Sequence, residues 1–411
     1  MVDFSAMLPK LLLGNELETA LTCLPQYNKE EIKGLSASER LLKLTDIYRV
    51  FIPTSMTYEI YQKLYTMVSI SLRQKGTIDS IKQMNANYKW AHGGVFHGVI
   101  TGASSSTIIG NSGIGKTSAI QYAINLLGPI LESQKPYHKV IPVLMVSCPF
   151  DSNYKGLLCQ ILISIDEILG TNYYERTEKS HMNAQQVLGL VCQICHLYVG
   201  TLIIDEIQFI VEHRAGKQLY LMILQLINTS CISVLLVGTN ECLDFFRQAP
   251  QIARRSVGLE YGPMAFNEEF RKLCETLFSY QYVAKDSILT ESLTYWLFEH
   301  TGGISASLVS LIHDAQEIAI MKGKETLGIE TLTEAYSSRM KMLHAHTCNS
   351  ITKIKKSTCK DRVEASFGNT TEVKVIEIEK SIQDIVFQAK RTNTDLVSKL
   401  REYIKIEEIQ C

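Results

Sequence analysis

Apolar positions change their spacing along this chain, and the changes divide it into four stretches. Up to about residue 85 the spacing is helical. Tyr58, Tyr61, Leu64, Tyr65, Val68 and Leu72 fall on one face of an amphipathic helix. From about 86 to 264, apolar strand-like runs at 106–109, 140–146, 201–204 and 233–237 alternate with longer helical segments. That alternation predicts a parallel sheet flanked by helices. From 265 to about 345 only helical spacing remains, interrupted at Thr301-Gly302-Gly303. This predicts a small helical lid domain after the α/β core. Beyond 346 the apolar content thins. Lys353, Lys355, Lys356, Lys360 and Arg362 form a basic run, and a terminal helix is expected near 393–409. No internal repeat is present.

Composition narrows the class. A chain of 411 residues, 46% of them hydrophobic, can bury a sizeable core in more than one folding unit. The net charge of −1 gives no global basic field, so any nucleic-acid contact must come from a local patch. The 11 cysteines are odd in number and scattered, and no secretory signal precedes them, which favours a reducing cytoplasm. Cys192 and Cys195 form a CxxC with no second pair at zinc spacing, in an apolar helical stretch, and read as small core residues. His344 and His346 read as surface residues. No apolar run is long enough to span a bilayer.

The chemistry is concentrated after the first strand. Gly110-Asn111-Ser112-Gly113-Ile114-Gly115-Lys116-Thr117, followed by Ser118, matches GxxxxGK[ST] between a strand and a helix. Glycines let the backbone wrap a phosphate with its N–H groups pointing inward, and the helix N-terminus adds positive potential. Lys116 is placed to reach the β- and γ-phosphates of ATP, and Thr117 to bind Mg²⁺. The apolar run Thr201-Leu202-Ile203-Ile204 ends in Asp205-Glu206, the Walker B pattern. Asp205 then belongs to the Mg²⁺ shell, and Glu206 orients and polarises the attacking water. A strand between the phosphate loop and this motif favours the catalytic-Glu branch of P-loop proteins over kinases and GTPases. The next strand ends at Gly238-Thr239-Asn240, where a polar tip residue can sense the γ-phosphate. Asn240 is the first candidate and Thr239 the second. Arg254 and Arg255 follow, and either suits an arginine finger acting on a neighbouring subunit, since guanidinium stays charged and grips phosphate bidentately.

Taken together, Asp205-Glu206-Ile207-Gln208, Gly238-Thr239-Asn240-Glu241 and the Arg pair resemble the TnsC/TniB transposition regulators. Cys148-Pro149, Lys155-Gly156-Leu157 and the segment from Ile165 to Tyr173 resemble TnsC more than TniB, and the likeness spans roughly residues 50–345. The resemblance implies an AAA+ ATPase of a cut-and-paste or CRISPR-associated transposon. Such a protein assembles with ATP on double-stranded DNA as a ring or filament. It links a target-selection protein to the transposase and disassembles on hydrolysis. It also implies DNA contacts in the region that holds Lys155, Arg176 and Lys179. One departure is plain: 301–316 contains no Arg or Lys where many AAA+ lids carry a sensor-2 arginine, leaving Ser305 and Ser307 as polar substitutes. Two other readings compete. One is an origin-recognition or helicase-loader ATPase, which would be expected to carry that arginine. The other is a signalling P-loop protein without a DNA role.

Overall fold

The computed structural model describes residues 4–75, 77–91, 104–134, 137–150, 153–209, 216–230, 232–242 and 258–340. His344, His346, the basic run, the expected terminal helix and the Arg254-Arg255 pair lie outside them. The N-terminal stretch holds α1 (Gly14–Leu21), α2 (Lys29–Gly34), α3 (Ala37–Leu44), α4 (Ser55–Lys75) and α5 (Ile78–Ala91). The α/β core follows as β1 (Ser105–Gly110), α6 (Lys116–Leu127), β2 (Leu131–Gln134), β3 (Tyr137–Ser147), α7 (Tyr154–Leu169), α8 (Tyr173–Lys179), α9 (Ala184–Tyr198), β4 (Val199–Asp205), α10 (Gly216–Thr229), β5 (Ser233–Gly238) and β6 (Leu259–Tyr261). The stretch expected to form a lid contributes α11 (Glu268–Ser279), α12 (Glu291–Thr301), α13 (Ser305–Met321) and α14 (Ile329–Ala335).

The six strands form one sheet in the order β2-β3-β4-β5-β1-β6. All neighbours are parallel except the edge pair β2–β3. Strands β1, β4 and β5 are buried along their whole length. The reason is visible in their side chains, which alternate between two apolar layers. Leu202, Ile204, Val234 and Leu236 point into the layer formed with α7, α9 and α10. Ile203, Leu235 and Val237 point into the opposite layer with α1, α4 and α6. The result is a mostly parallel sheet between helical layers, as the spacing predicts. The short strands β2 and β6 carry too few residues to show a spacing, and the sequence pattern does not reveal them.

The expected helix face is present on α4: Tyr61, Leu64, Val68 and Leu72 are buried, and Tyr58 and Tyr65 pack at the margin of the same cluster. The N-terminal stretch, however, forms no core of its own. Helix α4 covers the sheet, whereas Ile32, Leu44, Ile47 and Val50 join the lid cluster around Phe270, Leu277, Leu308 and Ile312. Helix α5 runs past residue 85 and lies against α9. Cys192 and Cys195 are fully buried in α9 as packing residues, and burial pushes the Cys195 thiol up. Among the described residues, no helix is long and apolar enough to cross a membrane.

Candidate functional site

The parallel register brings the functional segments together at the C-terminal edge of the sheet. Ile109 lies opposite Gly238, and Ile204 opposite Leu236, so β5 stands between the phosphate-loop strand and the Walker B strand. Crevices at this edge are where open α/β sheets hold ligands. Here the edge opens into a cavity of ≈ 670 Å³.

The phosphate loop has the backbone its glycines allow. Gly113 and Gly115 adopt φ +78 and +93. A Cβ on Gly110 would stand 2.5 Å from the Tyr261 carbonyl oxygen of the neighbouring β6, so no side chain fits there. Lys116 opens α6, and its ammonium donates to the carbonyls of Gly110 and Asn111, both at 2.8 Å. Burial lowers the Lys116 pKa, and the nearby Asp205 and Glu206 carboxylates oppose that effect. Thr117 Oγ1 donates to Asp205 Oδ2 at 3.0 Å, although the two residues are 88 positions apart. Asp205 is only 4% exposed. Its other oxygen accepts the Glu206 backbone N–H at 2.8 Å. The hydroxyl of Thr117 and the carboxylate of Asp205 are hard oxygen donors side by side, a set that fits Mg²⁺.

Glu206 lines the cavity and adopts φ +58, a left-handed conformation uncommon for a residue with a side chain. Its carboxylate accepts from the Gln208 carboxamide. At the tip of β5 the Asn240 amide donates to Asn111 Oδ1 at 3.2 Å, joining this segment to the phosphate loop. The Asn240 Oδ1 atom is buried without a partner among the described residues. Thr239 lines the cavity, and its hydroxyl donates to Glu241 at 2.6 Å; Asn240 reaches the loop through Asn111 rather than lining the cavity itself.

The lid meets the loop directly. Ser305 Oγ and the Ala306 backbone N–H both donate to the Gly113 carbonyl, at 3.1 and 3.0 Å. Ser305 therefore stands at the lid–loop contact, whereas Ser307 is not part of the cavity wall. The three cations expected to meet DNA lie elsewhere. Lys155 is in the first turn of α7, capped by Asn153; Arg176 and Lys179 are exposed on α8, and Lys179 pairs with Glu175. None of the three lines the cavity.

The spacing of apolar residues gave no sign of one wall of the site. The segment before α4 contributes Tyr48, Phe51, Ile52 and Thr54 to the cavity, and the first turn of α4 adds Met56. Phe51 stacks on Tyr122 of α6 with ring centroids 3.9 Å apart. Pro53, which interrupts regular structure just ahead of α4, is the only local signal that this segment is set apart.

Residues 100–260 match the family model described as Bacterial TniB protein. No curated protein is similar to the chain. Solved structures are similar at low identity, three of them as follows. The Aeropyrum pernix Orc1 protein in complex with DNA is 17% identical, with TM-score 0.43 over 63% of this chain and 64% of that one, short of two thirds of its length. PCH-2 from C. elegans is 14% identical, with TM-score 0.39 over 73% and 72%. A katanin structure is 14% identical, with TM-score 0.37 over 68% and 90%. The sheet order and the loop geometry, rather than these distant likenesses, carry the fold assignment. The family match covers the segment that supplies the glycine-rich loop, Asp205, Glu206 and Asn240, and over residues 100–260 this chain is similar to the TniB family.

Proposed function

We propose that this protein is an ATP-hydrolysing switch that regulates DNA transposition. The observation that carries the reading is the convergence of Lys116, Thr117, Asp205, Glu206 and Asn240 on one edge of the sheet within a TniB-type core. In this reading Gly110, Asn111, Ser112, Gly113, Ile114 and Gly115 cradle the phosphates with Ser118 at the start of α6. Lys116 exchanges its two carbonyl partners for phosphate oxygens. Thr117 and Asp205 would hold Mg²⁺, which offsets phosphate charge when bound. Glu206 takes a proton from the attacking water as the water's oxygen bonds to the γ-phosphorus and the bond to the bridging oxygen of ADP breaks. Asn240 positions the same water or the γ-phosphate. Arg254 or Arg255 acts on the nucleotide of a neighbouring subunit, which makes hydrolysis depend on a homo-oligomer, a ring or a filament.

Binding of double-stranded DNA is assigned to the assembled form. A chain of net charge −1 binds DNA poorly alone, but each added subunit repeats Lys155, Arg176 and Lys179 along the backbone. Assembly then connects a target-selection protein to the transposase in the bacterial cytoplasm, and hydrolysis disassembles it. Fluorescence anisotropy on two unrelated duplexes, with a non-hydrolysable ATP analogue, with ADP and without nucleotide, tests the reading. Binding should require the analogue, ignore sequence, and weaken with salt at a slope of roughly 0.9 per phosphate neutralised. Lys116→Ala should lose the nucleotide effect. Equal, negligible binding in every nucleotide state would remove the transposition role and favour a signalling ATPase.

A further inference from the structure

Gln208 lies two residues beyond the proposed general base and is only 7% exposed. It stands with both ends of its carboxamide committed. Its nitrogen donates to Glu206 Oε2, and its oxygen accepts the backbone N–H of Thr239 at 3.4 Å. The chemistry fixes which end points where: an N–H donor at Thr239 needs the oxygen, and a carboxylate needs the amide nitrogen. The carboxamide is also wedged. A Cβ on Gly238 would stand 3.3 Å from the Gln208 oxygen and 2.7 Å from Ile207 Cγ1. Gln208 thus bridges the turn after β4 to the tip of β5, the segment that carries Asn240.

We infer that Gln208 is a positioning residue for ATP hydrolysis: its carboxamide fixes the Glu206 carboxylate against the end of β5, so that one carboxylate oxygen is held and the other faces the nucleotide cavity. This rests on the reading of Glu206 as general base. A Glu side chain on an open cavity has several rotamers of similar energy, and a base works only when held within hydrogen-bond reach of the proton it takes. The backbone of Glu206 is already held in its left-handed conformation by the bond from its N–H to Asp205. The Gln208 bond removes the remaining freedom of the carboxylate. Being neutral, the carboxamide orients the base without competing for the proton. The same bridge gives the sensor segment and the base a shared support.

The test uses the full chain with Gln208→Met, which keeps length and volume but loses both bonds, and Gln208→Glu, which keeps the acceptor for Thr239 but sets a second carboxylate against Glu206. Steady-state ATP hydrolysis, affinity for a fluorescent non-hydrolysable ATP analogue, and the nucleotide-free unfolding temperature are measured for each. Expected for Gln208→Met is a fall in kcat of roughly 10- to 100-fold, the range seen when supporting partners of active-site groups are removed. The analogue affinity and KM should stay within about twofold of the parent. Gln208→Glu should lose at least as much kcat. Combining Gln208→Met with Glu206→Gln should add nothing to the loss from Glu206→Gln alone, because the two act as a unit. If Gln208→Met does not fold, the near-isosteric Gln208→Glu decides. Parent kcat in a folded variant, or a loss of stability and nucleotide affinity with kcat preserved, would overturn the inference and leave a packing residue. A parent chain that does not hydrolyse ATP would overturn both this and the reading it rests on.

Discussion

Glu206 holds a backbone conformation that only a strong local purpose justifies. Its φ of +58 brings Cβ close to the following carbonyl, a strain of order 1–2 kcal/mol for a residue with a side chain. Glycine at this position carries no such penalty. Glu206→Gly is therefore expected to exceed Glu206→Ala in stability by about 1 kcal/mol, read from urea unfolding, with both variants inactive. Equal stability of the two would mean that the turn is unstrained. Glu206→Gln keeps the shape and should still bind ATP while hydrolysis slows by roughly 10²- to 10⁴-fold. Parent-rate hydrolysis in that variant would remove Glu206 from the role of base. The strain and the proposed activity thus meet in one residue, as expected where a turn serves chemistry rather than stability.

Helix α9 and the lid turn show how single elements are held. His196, in the last turn of α9, is buried with Nδ1 3.2 Å from the Ser230 carbonyl. Burial, reinforced by the Lys75 ammonium, pushes its pKa down to about 3. The unfolded chain takes this proton below a pH of about 6.5, and the native chain does not until pH approaches 3. Stability therefore falls as pH drops through that window, by up to about 1.4 kcal/mol per unit from this group. His196→Gln should flatten the curve between pH 6.5 and 5 in urea unfolding; parallel curves for parent and variant would contradict the assignment. At the lid turn, Gly303 has φ +72, and a Cβ there would stand 2.1 Å from the Met264 carbonyl oxygen. The two backbones touch because Met264 N–H donates to the Gly303 carbonyl at 2.9 Å. Gly303→Ala should cost about 2 kcal/mol or more and loosen the Ser305 contact to the phosphate loop. An unchanged unfolding midpoint would show that the turn yields.

Across the whole molecule, the N-terminal stretch serves as a brace. Arg40 on α3 is 6% exposed and donates through its two terminal guanidinium nitrogens to Glu325, at 2.6 and 2.7 Å, and through Nη1 also to the Tyr282 carbonyl at 2.9 Å. The Glu325 carboxyl is held below its ordinary pKa chiefly by this bond, and Arg40 correspondingly above. The pair joins positions 285 apart in sequence and ties the N-terminal helices to the lid. Arg40→Ala leaves the Tyr282 carbonyl unpaired and the partly buried Glu325 carboxylate with only the Ala284 N–H, and should cost about 2 kcal/mol in calorimetry or urea unfolding. Adding Glu325→Gln should recover part of that loss. A single variant at parent stability would show that the brace is dispensable.

Much of the site could be read from the chain because its chemistry is local. The octet from Gly110 to Thr117 specifies its own loop, since glycine alone accepts the positive φ at 113 and 115 and Lys-Thr must follow in register. The runs ending in Asp205-Glu206 and in Gly238-Thr239-Asn240 are likewise visible, because strands buried on both faces read as near-continuous apolar runs. The helical face of α4 and the lid helices followed from spacing alone. What only the tertiary structure decided are the pairings across long stretches of chain. Strand order sets β5 between β1 and β4, and that brings Asn240 to Asn111 and Thr117 to Asp205. The division of the N-terminal helices between sheet and lid, the cavity wall from Tyr48 to Met56, and the bridge from Gln208 to Thr239 have no local signature either. Local backbone chemistry writes a motif into consecutive residues, whereas the choice of partner for an apolar face or a buried amide is made by whichever surface folding brings against it.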